Sequence, residues 1–80
     1  MPKIHELKIM PEYYSAVADG TKRFELRYND RDFGVGDILR LCEWDEDYTG
    51  HKLTCVVEYI LKEHNGLDDG YVIMGITKQS

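Results

Sequence analysis

The sequence predicts a mainly β domain of the α+β class: a small, five-stranded, mostly antiparallel β-barrel with one short helix after the first strand. Three observations predict it. Five stretches alternate or run apolar as strands do, and only the segment from Pro11 to Asp19 reads as helix. One short helix leaves no material for the crossovers of a parallel sheet. The 80 residues suffice for a single domain, 1–80, whose sheet must cover its own apolar face by curling, with the helix over one end.

Each element follows from local chemistry. From Lys3 to Ile9 the chain alternates, with Lys3, His5, Leu7 and Ile9 on one face and Ile4, Glu6 and Lys8 on the other. Met10-Pro11 ends that strand, and proline suits the first turn of a helix. Glu12 complements the positive helix start, while Tyr13 with Val17 and Tyr14 with Ala18 stand one turn apart. Gly20 is the expected residue just past the helix end. Arg23 to Tyr28 alternates strictly and predicts a half-buried strand: Phe24, Leu26 and Tyr28 are expected inside, with Arg23, Glu25 and Arg27 forming a charged outer face. Asn29 to Asp37, with Gly34 and Gly36, reads as a turn.

Ile38 to Trp44 is the third strand and Asp45 to Gly50 an acidic turn. Leu53 to Lys62 is the fourth strand, with Leu53, Cys55, Val57, Tyr59 and Leu61 expected on one face throughout. His64 to Gly70 is a loop, and Tyr71 to Ile76 is apolar enough for a central strand.

Composition narrows function. The apolar content of 42% argues for a packed core. No apolar run approaches the ~20 residues of a membrane span, and no apolar leader opens the chain, so a cytoplasmic protein with no membrane partner is expected. Cys42 and Cys55 form no metal-binding pair and are read as reduced thiols. No metal or cofactor is expected: Asp45, Asp47, Thr49 and Gly50 echo the start of a calcium loop, but its twelfth position is Val56. The net charge of −5 argues against a protein that coats nucleic acid. Lys22, Arg23, Arg27 and Arg31 against Glu25 and Asp30 nevertheless give residues 20–31 a charge of +2, leaving −7 for the remainder. A basic patch on an acidic body suits selective binding of one phosphate or a short strand.

The segment Gly20-Thr21-Lys22-Arg23-Phe24-Glu25-Leu26-Arg27, a G-x-K-x-x-E-x-R pattern following a short helix, together with Val35-Gly36-Asp37-Ile38-Leu39, resembles the ASCH domain of the PUA-like superfamily. His5-Glu6-Leu7-Lys8, Asn29-Asp30-Arg31-Asp32-Phe33 and Gly70-Tyr71-Val72 extend the resemblance over nearly the whole chain, and it is closest to short bacterial and phage ASCH-like domains of unknown function. The resemblance implies a PUA-like barrel with a cleft beside the helix that binds RNA. In ASCH-like amidohydrolases acting on modified cytidines, a lysine and a threonine of this motif serve as activating amine and nucleophile. Lys22 matches the lysine, whereas Glu25 stands in the threonine's place, and the longer segment carrying a further acid is missing. A binding role is therefore expected ahead of catalysis, with Lys22 and Glu25 the catalytic candidates if there is any.

Lys22, Arg27 and Arg31 are the expected phosphate contacts, because a guanidinium matches phosphate oxygens bidentately and lysine adds a compact charge. Periodicity alone reads the same residues as a solvated strand face with an ion pair worth about 0–1 kcal/mol. Glu25 and His5 join the candidate ligand site, His5 because it falls in a motif near the expected cleft; a lone histidine on an apolar face is otherwise structural. Tyr14, Tyr28 and Trp44 are the candidate stacking platforms for a base. His51 and His64 are read as surface residues. The expected partner is RNA or a nucleotide. The alternatives are a hydrolase acting on modified nucleosides or RNA, and an accessory factor that docks another protein through the acidic turn at Glu43 to Asp47. A monomer or weak dimer is expected.

Overall fold

The structure, a computed structural model, describes residues 2–79. Strand β1 (Ile4–Ile9) leads into helix α1 (Pro11–Ala18), followed by β2 (Phe24–Tyr28), β3 (Ile38–Trp44), β4 (Tyr48–Lys62) and β5 (Tyr71–Lys78). The strands form one curled half-barrel sheet in the order β1-β3-β4-β5-β2. The β1/β3 pairing is parallel and the other three are antiparallel. The helix begins with Pro11 and ends at the Asp19 cap, after which Gly20 takes a φ of +87°. That conformation costs a residue with a Cβ and turns the chain toward β2.

The core sits on the concave side. Strand β1 contributes Leu7 and Ile9, β3 Leu39 and Leu41, β4 Cys55 and Val57, and β5 Val72, Met74 and Ile76. Helix α1 closes the core with Val17, and the 29–37 loop closes it with Phe33. Burying each large aliphatic side chain contributes about 1.5–3 kcal/mol, the dominant favourable contribution in so small a domain.

Two expectations are corrected. Strand β2 is inverted: Glu25 is only 3% exposed, whereas Phe24, Leu26 and Tyr28 are 48%, 53% and 57% exposed. In register, Glu25 lies beside Met74 and Arg27 beside Val72, both on the concave face, which sends the alternating aromatic and leucine side chains outward. Burial of Glu25 is possible because two cations satisfy it. Strand β4 starts earlier than expected, since Tyr48 pairs with Trp44 and Lys52 with Cys42 across the hairpin. An irregularity between Val57 and Tyr59 then switches its faces, leaving Val57 buried and Tyr59 64% exposed.

The edges of the half-barrel meet without a backbone ladder among the described residues. Side chains bridge them instead: Arg27 Nη2 donates to the Lys8 carbonyl at 2.7 Å, and Arg31 Nη1 donates to the Glu6 carbonyl at 2.8 Å. These guanidinium groups cap carbonyls that a lone edge strand would leave to solvent.

Candidate functional site

Chain direction builds the site. The turn after α1 places Lys22 just before β2, and strand alternation then puts Glu25 and Arg27 on the same concave face. Lys22 Nζ donates to Glu25 Oε1 at 2.5 Å and to the Phe24 carbonyl at 2.7 Å. Arg27 Nε donates to Glu25 Oε2 at 2.8 Å. Each carboxylate oxygen thus holds its own cation, and the three side chains form one partly buried network.

The network forms the floor of a cleft of about 450 Å³ where the start of α1 meets the β1/β2 seam. Ile9, Met10 and Tyr13 line one wall, and Phe24 and Leu26 line the other. Lys8 also borders the cleft, where its carbonyl accepts from Arg27, but its ammonium sits over Trp44 outside the lining, which leaves two cations beside the single carboxylate of Glu25. The Lys22 ammonium lies 4.8 Å from the Phe24 ring centroid and 5.7 Å from that of Tyr13, holding it between two aromatic faces. Lysine has three N–H donors and arginine five. Lys22 therefore keeps one uncommitted N–H, and Arg27, after its bonds to Glu25 and Lys8, keeps three.

A profile described as "Domain of unknown function (DUF3850)" matches residues 4–76, the whole sheet and helix down to Ile76 of β5. The chain belongs to that family. It is also 37% identical over 75 residues to the "Uncharacterized 12.9 kDa protein in GpA 3′ region" of Escherichia phage P2, an alignment covering 92% of this chain and 68% of the phage protein. The match to the DUF3850 family takes in every residue of the cleft.

Not all sequence candidates of this DUF3850 chain converge. Lys22, Glu25 and Arg27 meet in the cleft, but Arg31 lies outside its lining, bonded to β1. His5 belongs to the core: its Nε2 is 2.8 Å from Asp37 Oδ2, its ring sits edge-on to Phe33 at 4.7 Å, and it is 6% exposed. Burial pushes the Asp37 carboxyl up, but hydrogen bonds from His5 and from the Lys3 and Gly34 N–H groups outweigh that and hold it at about 2. The pair pins β1 to the start of β3.

None of the three expected stacking platforms lines the cleft. Tyr14 packs against the core and stacks on His51 at 6.3 Å; burial, helped by the charge of Glu43, raises its hydroxyl above the usual tyrosine range. Tyr28 faces outward and packs edge-on against Tyr71. Trp44 holds the Lys8 ammonium 3.8 Å from its ring centroid. The aromatic walls are Tyr13 and Phe24 instead, which helical spacing and strand alternation alone assigned to packing. The Lys8 carbonyl meets Arg27 at the cleft only because the sheet curls β1 round to β2. Among the described residues, no group of three or more His, Cys, Asp or Glu side chains is arranged to hold a metal ion, and no helix is long and apolar enough to cross a membrane.

Proposed function

We propose that the cleft binds a nucleotide or a short single-stranded RNA, and that the fold is an ASCH-like member of the PUA-like group. The observation that carries the reading is the convergence of Lys22 and Arg27 on the floor of a hollow walled by Tyr13 and Phe24. The free N–H groups of Lys22 and Arg27 suit phosphate oxygens, and the two aromatic side chains suit an unstacked base. The cleft's volume falls within the usual range of small-molecule pockets. The motif resemblance, with its cleft beside the helix, supports the same reading.

The geometry favours binding over hydrolysis. Both oxygens of Glu25 already accept from cations, so a substrate proton would have to compete with the Lys22 and Arg27 N–H groups for the carboxylate.

The test is titration of labelled short RNA and of a nucleotide panel at rising salt. Binding through two cations gives a slope of log K against log salt of about −1.4 for a single strand. Lys22→Gln and Phe24→Ser should each weaken binding about tenfold, measured at a temperature where circular dichroism shows each variant folded. Absent or salt-independent binding, or wild-type affinity in both variants, would overturn the proposal.

A further inference from the structure

A second surface lies on the convex side of the sheet. The inversion of β2 and the face switch in β4 leave an apolar area that nothing in the chain covers. In register, Phe24, Gly75 and Tyr59 form one row, Leu26, Ile73 and Leu61 the next, and Tyr28 and Tyr71 a third. Phe24, Leu26, Tyr28, Tyr59 and Tyr71 are each at least 39% exposed. A contiguous patch of this kind marks a contact surface, in contrast to the scattered single apolar residues of an ordinary exterior. Helix α1 and the core fill the concave side, so the convex side is the open layer of a sheet that can take a helix on each face.

Charge selects the occupant. Beyond the Tyr28–Tyr71 row lies a hollow of about 250 Å³ in which Glu63, Asp68 and Asp69 face a single lysine, Lys62. At the other end of the patch Glu58 accepts from Thr77 Oγ1, adding a further carboxylate. A second copy would bring the same acidic ends and its own net charge of −5. An anionic membrane would be repelled as well. We propose that this face docks an amphipathic helix of a partner protein, with its apolar stripe on Leu26, Ile73 and Tyr59 and its flanking lysines or arginines at the Asp68–Asp69 end. The surface is separate from the floor of the nucleotide cleft, although Phe24 and Leu26 border both.

The experiment titrates the ¹⁵N-labelled protein with a leucine–lysine amphipathic helical peptide and, separately, with its leucine–glutamate counterpart. Saturable shifts confined to the outward residues of β2, β5 and β4, with the glutamate peptide roughly tenfold weaker, are expected. Tyr59→Lys, on a side chain outside the cleft, should weaken the lysine peptide by a similar factor, and Asp68→Lys with Asp69→Lys should reverse the preference between peptides. The proposal is overturned by shifts centred on Lys22 and Arg27, by equal binding of both peptides, by no saturable binding, or by a sedimenting dimer that Tyr59→Lys dissociates.

Discussion

The Arg27 guanidinium and the Lys8 carbonyl lie 2.7 Å apart across a seam where two strands share no backbone ladder, while the same guanidinium holds the buried carboxylate of Glu25. One side chain thus joins the two edges of the sheet and neutralises the floor of the cleft.

Arg27→Met should destabilise the protein by about 3 kcal/mol, because it strips one partner from a buried charge and uncaps a carbonyl. Adding Glu25→Gln should recover part of that loss by removing the charge itself. Denaturant melts of the two single variants and the double variant give the coupling energy, and strictly additive losses would contradict the network.

Acid stability should carry the signature of Asp37. Its folded pKa, about 2, lies below the ordinary 3.8, so its contribution is fully present above 3.8 and is lost as pH falls toward 2. The shift corresponds to about 2 kcal/mol. Asp37→Asn should be less stable at neutral pH and lose that part of the pH dependence, as read from melts between pH values of about 2 and 6.

The thiols should resist alkylation in the native state. Burial, with the nearby Glu25 charge adding to it, pushes the Cys55 thiol up to about 11, and Cys42 is only 7% exposed. Reaction with iodoacetamide at neutral pH should therefore track unfolding, and rapid labelling without denaturant would show that Cys55 is not sealed in the core.

Glycine substitutions should separate strain from collision. Gly20 has a φ of +87° with open space where a Cβ would go, so Gly20→Ala should cost about 1 kcal/mol from backbone strain alone. Gly70 combines a φ of +84° with a Cβ position 2.6 Å from the Tyr28 ring, so Gly70→Ala should cost more and displace that ring. Thermal melts and the Tyr28 ring resonances would report both effects.

Much of the fold was legible because local rules dominate it. Strand β3 runs from Ile38 to Trp44 as its pattern indicates, and the Pro11 start and Gly20 end of the helix follow from proline and glycine chemistry. Alternation in β2 identified which residues share a face but not which face points inward. That choice rests on Lys22 and Arg27 jointly satisfying Glu25, a tertiary arrangement that alternation cannot express. The face switch before Tyr59 depends on pairing with β5, and the aromatic walls of the cleft depend on how the sheet curls. Lys22, Glu25 and Arg27 were therefore legible as a charged cluster, whereas the Tyr13 and Phe24 walls beside it required three dimensions.

The lacing of β1 to β2 by arginine side chains has a mechanical consequence. Strand ladders fix the spacing of their partners at about 4.8 Å, but a guanidinium on a long flexible stem reaches its carbonyl from several rotamers. The width of the seam at Arg27 and Arg31 is therefore set by side-chain torsions, which reorient far faster than a strand unzips. No strand–strand hydrogen bond among the described residues has to break for that seam to open.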